Sequence, residues 1–211
     1  MLSSEEQARS RRFHAERHRR RFVVAHGALR QILGTYLERQ PETLAFAAGP
    51  NGKPSLAGDE PGRRRLEFNL SHSGDLALVA VAWDRPVGVD LEEWERDMNH
   101  LELAERFFSP AERESLRALA ASADDLVRGF FAAWSRKEAY LKASGHGVTR
   151  GLHHFDVTLT PHEPARLLAD RRDAEALERW RMVALPPAPG FSGALVAAAP
   201  LDEVLLFDRS E

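Results

Sequence analysis

Three short segments of the 211-residue chain carry side chains whose types and spacing could do chemistry. In Val87-Gly-Val-Asp-Leu-Glu92, successive residues of an extended strand point to opposite faces, so Asp90 and Glu92 project together and Glu93 points away. Two carboxylates on one face offer hard oxygen ligands to magnesium, which is typically held by one or two carboxylates plus the phosphates of its substrate. The same pattern also describes a solvent-facing acidic strand end. In Trp134-Ser-Arg-Lys-Glu-Ala-Tyr-Leu-Lys142, a four-residue spacing puts Trp134, Glu138 and Lys142 on one helical face. That is either an ion pair worth about 0.2–0.5 kcal/mol, or the third carboxylate that a D-x-E platform needs to enclose a metal. In Phe68-Asn-Leu-Ser-His-Ser-Gly74, an apolar strand ends in a polar turn. There Ser71, His72 and Ser73 could donate to an anion or bond to their own backbone. Asn51-Gly-Lys-Pro54 is a further turn whose backbone could receive a base edge, with Lys53 near a phosphate. A serine-hydrolase reading fails because the serine-rich segment lacks the G-x-S-x-G elbow.

The elements that must position these groups follow from apolar periodicity. Phe22, Val23, Leu29, Ile32, Leu33 and Tyr36 recur at helical spacing and predict one long helix from about residue 15 to 37, ending near Pro41. Extended segments are expected at 43–47, 66–70, 76–83 and 87–91, separated by Gly, Pro and Asp. A helix opens at Ser109, with Pro110 in its first turn and Glu112 completing a capping box. Another spans about 124–144 and stops at Gly145-His-Gly147. Segments 155–159, 181–185, 193–198 and 204–207 read as strands. The helix-then-strands order occurs twice, which predicts an α+β protein of two similar lobes, 1–86 and 87–211, packed tightly without a linker.

Composition bounds the function. The chain is 43% hydrophobic and 29% charged, with a net charge of −3 and no cysteine. Disorder, a disulfide scaffold and a thiolate zinc site are thereby excluded. Neither a signal peptide nor a membrane span is recognisable, since the longest apolar run, Leu76 to Trp83, is too short, and a cytoplasmic protein is expected. Charge is segregated: residues 1–30 hold eight arginines against three glutamates, and residues 84–105 hold eight acids against two arginines. Of the 29 basic residues, Lys53, Lys137 and Lys142 alone are lysines. These three mark candidate places for a compact ammonium in preference to a planar guanidinium.

Taken in order, the arginine-rich helix, Gly52-Lys-Pro54, Phe68-Asn-Leu-Ser-His-Ser-Gly74, Gly88-Val-Asp-Leu-Glu92, Arg106-Phe-Phe108 and Trp134-x-x-Lys-Glu-Ala-Tyr-Leu-Lys142 resemble the 4′-phosphopantetheinyl transferase superfamily. Within it they match the large pseudodimeric subclass that activates carrier proteins of polyketide and nonribosomal peptide synthetases. The resemblance covers roughly residues 15–160. It implies two α/β lobes with the active site in the cleft between them, and a monomer. The implied reaction transfers the phosphopantetheine arm of coenzyme A to a serine of an apo acyl or peptidyl carrier protein, releasing adenosine 3′,5′-bisphosphate. By similarity Asp90, Glu92 and Glu138 are ligands of Mg2+, or of Mn2+. Glu138 matches the residue proposed as general base, and Lys142 the lysine at the pyrophosphate. Lys53 and Pro54 match the adenine-side loop, and Ser71 and His72 positions near the 3′-phosphate and ribose. Lys137 is expected to support Glu138 or to face the carrier. The N-terminal helix departs from the pattern: His26 stands where many relatives have an arginine for the 3′-phosphate. Affinity for coenzyme A is accordingly expected to fall between about pH 6 and 7.5. Arg20, Arg21 and Arg30 are further anion contacts, and carrier docking is placed between Arg106 and Leu119. No nucleic acid or membrane is implied. The competing readings are an arginine-rich nucleic-acid-binding module and a magnesium-dependent phosphohydrolase with water as nucleophile.

Overall fold

A computed structural model describes residues 1–49, 51–58, 64–147 and 151–208. The chain opens with a short helix α1 (Ser4–Ser10), held by a Ser3–Glu6 capping box. The long helix α2 (Glu16–Leu37) follows, its predicted span matched to within a residue. It stops at Glu38, which adopts φ 53° and donates its N–H to the Gly34 carbonyl, before Pro41 is reached. Strands β1 (Phe46–Ala48) and β2 (Pro54–Leu56) pair with each other. The segment expected at 43–47 is therefore displaced: Pro41–Thr43 form a turn of 3-10 helix, where the fixed φ of proline suits a helical start.

Strands β3 (Leu66–Ser73) and β4 (Leu76–Trp83) form a hairpin with a two-residue loop. Gly74 sits there at φ +54°, as such tight loops require. Strand β3 runs three residues further than expected, so Ser71, His72 and Ser73 belong to the strand and not to the turn. Strand β5 (Val87–Glu93) pairs with β9 (Phe191–Ala198), which pairs in turn with β8 (Trp180–Leu185). Helices α3 (His100–Phe107) and α4 (Pro110–Ala118) lead to α5 (Ala123–Ser144), capped by Ser122 and ended by Gly145 at φ +71°. The predicted capping box of α4 is present, Ser109 and Glu112 satisfying each other's backbone amides. Strands β6 (Phe155–Val157) and β7 (Leu167–Asp170) and the single turn α6 (Ala176–Arg179) complete the fold. Every described strand pair is antiparallel, with helices packed on the sheets. No helix among the described residues is long and apolar enough to cross a membrane.

Three apolar clusters hold these elements. Leu29 and Leu33 of α2 bury against Leu66 and Phe68 of β3. Val87 and Val89 of β5 pack with Ala80 of β4 and with Leu185 and Leu195. The largest cluster surrounds α5, whose Phe130, Tyr140 and Leu141 pack against Phe108, Phe155 and Val196. Residues 204–207, expected as a strand, have no regular structure: Val204 packs on the β5 cluster, and Leu205, Leu206 and Phe207 are exposed. The run is unbroken in hydrophobicity but lacks the alternation that would fit it to a half-buried sheet.

Candidate active site

The face of β5 turned toward α5 carries Gly88, Asp90 and Glu92 at alternate positions. A Cβ on Gly88 would collide with the Ala139 carbonyl and the Ala143 amide of the helix, so the missing side chain sets how closely α5 approaches. Opposite stand Trp134, Glu138 and Lys142, half-buried in a helix whose neighbouring residues are mostly buried. Lys142 Nζ donates to Asp90 Oδ1 at 2.6 Å and to Ser71 Oγ at 3.0 Å. The five residues picked from D-x-E and the helical stripe are thus brought together. Glu93, as expected, turns to solvent.

Three carboxylates around one ammonium leave an excess of negative charge. Burial pushes Glu92 up to about 7, with the charges of Asp90 and Glu138 adding to the effect, and the Trp134 indole opposes it through a hydrogen bond. Glu138 is raised for the same reasons, burial first and then Asp90. Asp90, 3% exposed, is raised by burial against the pull of Lys142 and Ser71. Its Oδ2 is buried without a hydrogen-bond partner. As placed, no three acid or imidazole side chains among the described residues converge on one ion. An all-oxygen donor set, a charge excess and an unpartnered buried oxygen nonetheless fit a hard divalent cation, which needs only one or two protein carboxylates when a substrate supplies phosphate oxygens.

Strand β3 contributes along two faces. Asn69, Ser71 and Ser73 alternate toward β5: Asn69 Oδ1 accepts from the Val89 amide, Ser71 Oγ donates to Asp90 Oδ1 at 3.0 Å, and Ser73 Oγ accepts from the Glu93 amide. His72 points the other way, into a cavity of about 400 Å³ that it shares with Arg9, His18, Arg21, His26 and Phe22. Burial lowers the pKa of His72, with Lys142 and Arg21 lowering it further. His26 lies against the Phe22 ring, with Nδ1 3.4 Å from Glu6 Oε1. Burial lowers its pKa also, although Glu6 pulls the other way.

Several expected contacts lie elsewhere. Arg30 is 2% exposed and does not face the cavity: its Nε donates to Glu6 Oε2 at 2.5 Å and its Nη1 to the Pro41 and Leu44 carbonyls, fastening α1 and the following turn to α2. The positive charge on the cavity wall comes instead from Arg9 and Arg21, the first absent from the sequence reading and the second a lesser candidate in it. Lys53 Nζ donates to the Val87 carbonyl at 2.8 Å, and Pro54 opens β2. Asn51 Nδ2 donates to the Gly145 carbonyl, so the 51–54 loop joins the start of β5 to the end of α5. Lys137 is fully buried on Glu112 at 2.8 Å and also donates to the Leu152 and Phe155 carbonyls. It cannot face a carrier. A second cavity of about 460 Å³, lined by Glu92, Trp94, Met98, Phe130, Phe131 and Trp134, adjoins the first at Ser73. Phe130 and Phe131 occur at core-like helical spacing in α5, which hides them in the sequence, and Trp94 follows β5 without a motif of its own.

Comparison with known proteins bears on this arrangement. Residues 86–198 match the family model described as the 4′-phosphopantetheinyl transferase superfamily, and residues 1–84 match the one described as 4′-phosphopantetheinyl transferase, N-terminal. 4′-Phosphopantetheinyl transferase HetI of Nostoc sp. is 43% identical over 198 residues, covering 93% of this chain and 78% of that protein. A putative 4′-phosphopantetheinyl transferase of Synechocystis sp. is 35% identical over 186 residues, covering 88% and 72%. 4′-Phosphopantetheinyl transferase Sfp of Bacillus subtilis is 28% identical over 199 residues, covering 94% and 83%.

Proposed function

The chain belongs to the 4′-phosphopantetheinyl transferase superfamily, and from that premise we propose how its residues move the 4′-phosphopantetheine group of coenzyme A onto a serine of an apo acyl or peptidyl carrier protein. The observation that carries the reading is the meeting at Ser73 of a cationic and an aromatic cavity, beside the Asp90, Glu92, Glu138 and Lys142 cluster. Coenzyme A has matching parts. Its 3′-phosphate suits the pocket of Arg9, Arg21, His26 and His72, where donors and positive charge converge. Its pantetheine arm suits the apolar trough along Trp94 and Trp134. Its pyrophosphate then falls near Lys142, whose ammonium neutralises the charge that gathers on the leaving oxygen.

Asp90, joined by Glu92 or Glu138, would hold a divalent cation, Mg2+ or Mn2+, together with phosphate oxygens of the substrate. When bound, it would supply charge neutralisation at the phosphate undergoing substitution. Glu138 accepts the proton of the carrier serine, directly or through one water. The serine oxygen forms the new P–O bond as the anhydride P–O bond breaks, and adenosine 3′,5′-bisphosphate leaves. Residues 1–86 supply the nucleotide side and 87–211 the acids, as two lobes of one chain with the reaction in the cleft between them. A single copy then suffices for a complete site.

Incubation with coenzyme A, Mg2+ and an apo carrier, followed by intact mass measurement, tests this. The carrier gains the mass of one phosphopantetheine group and adenosine 3′,5′-bisphosphate is released in equal amount. An unmodified carrier, or hydrolysis of coenzyme A without a carrier, would overturn it.

A further inference from the structure

The polar seam between β3 and β5 does more at Ser71 than join two strands. Ser71 is 8% exposed, its Oγ donating to Asp90 Oδ1 and accepting from Lys142 Nζ, both at 3.0 Å. Lys142 Nζ donates to that same carboxylate oxygen at 2.6 Å. Two donors therefore converge on Oδ1, while Oδ2 is left buried and unpartnered. A carboxylate pinned at one oxygen from two directions cannot turn about its χ2 torsion, so the direction of its second oxygen is fixed. Ser71 also stands back from the cationic cavity, which is lined by His72 and, at the end of the strand, by Ser73 and Gly74.

We propose that Ser71 is a positioning residue for the divalent cation, holding Asp90 Oδ1 so that Oδ2 is presented to the ion as a single fixed ligand. The inference rests on the reading of Asp90 as a metal ligand. It replaces the assignment of Ser71 to the nucleotide's 3′-phosphate. Groups that orient ligating carboxylates typically change metal affinity by 10–100-fold when removed. Ser71 touches Asp90 and Lys142 and does not line the cationic cavity, so its loss is expected to leave nucleotide binding in the absence of metal untouched.

Two titrations on the full-length protein decide the matter. The first follows free Mn2+ by electron paramagnetic resonance without coenzyme A. The second follows adenosine 3′,5′-bisphosphate by calorimetry in EDTA. For Ser71→Ala, Mn2+ affinity is expected to fall by about tenfold or more, with nucleotide affinity in EDTA unchanged. Ser71→Thr, which keeps the hydroxyl, should return Mn2+ affinity toward wild type. Unchanged Mn2+ affinity in Ser71→Ala overturns the proposal, whatever happens to its melting temperature. Weakened nucleotide binding with unchanged Mn2+ binding restores the 3′-phosphate assignment. Wild-type protein that takes up no Mn2+ sinks the metal reading of Asp90, and this inference with it, before any variant is compared.

Discussion

At the scale of single residues, the acid cluster and the histidines make different demands. Asp90→Asn retains size and burial but removes the charge that faces Lys142, and transfer is expected to drop by about 100-fold or more, with circular dichroism unchanged. Turnover near wild type would remove Asp90 from the reaction. Lys142→Arg keeps the charge but replaces a compact ammonium with a planar fork, which cannot reproduce the joint contact with Asp90 and Ser71. Its transfer rate should fall well below wild type; full activity would show that charge alone suffices. His26 and His72 are both held below their ordinary 6.5, mainly by burial. Each is neutral in the free protein near pH 7 and must gain a proton to meet a phosphate as a cation. Affinity for coenzyme A therefore rises as pH falls. Because the free-protein values are depressed, the rise continues to lower pH than it would for a histidine of ordinary pKa. The same depression adds folding stability above pH 6.5 that is lost as pH falls through the native values. Calorimetry in buffers of different ionisation enthalpy should detect proton uptake on binding, smaller in His26→Gln than in wild type. Equal uptake in the two would take His26 out of the phosphate pocket.

At the scale of elements, α5 and its two supports decide whether the site assembles. Lys137 stands beside Glu138 in the sequence yet turns into the core, where it pairs with Glu112, the residue that also caps α4 and accepts the Val157 amide at 2.8 Å. One carboxylate thus ties α4, α5 and β6 together. Lys137→Met leaves Glu112 buried and uncompensated, which costs about 3–5 kcal/mol and should appear as a lowered urea midpoint. Adding Glu112→Gln should recover part of the loss, and a Lys137→Met protein of wild-type stability would show the pair to be dispensable. Gly88→Ala places a methyl group against the backbone of α5 at Ala139 and Ala143. The backbone must move, at a cost of about 1–3 kcal/mol. Because Glu138 and Lys142 ride on that helix, kcat should fall along with the melting temperature. The extents of α2 and α5, the start of α4 and the alternation in β5 were legible in the sequence, since apolar period and capping chemistry are local. The continuation of β3 through Ser-His-Ser was not, because Ser71 and Ser73 are satisfied by β5, about twenty positions away. Arg30 misled for a similar reason: nothing near it in sequence announces that Glu6 and two carbonyls absorb its charge.

At the scale of the whole molecule, the segregated charge has a direction. Arginines of α1 and α2 surround one cavity, and acids of β5 border the other. Some of that positive charge is already paired on the surface, Arg19 with Glu16 and Arg21 with Asp75, and such exposed pairs add little stability. If the carrier is acidic, the proposed function lets the remainder steer it toward the two cavities. For such a carrier, kcat/KM should fall on the order of tenfold from low to physiological salt, and a flat profile would assign docking to apolar contacts. The three lysines have a practical consequence of another kind. Lys53 is spent on the Val87 carbonyl, Lys137 on Glu112 and Lys142 on Asp90. Amine-directed reagents will therefore find hardly any lysine to acylate on the native surface. Slow modification of the partly exposed Lys142 becomes a chemical footprint of the reaction centre, and its protection by coenzyme A can be read by peptide mapping.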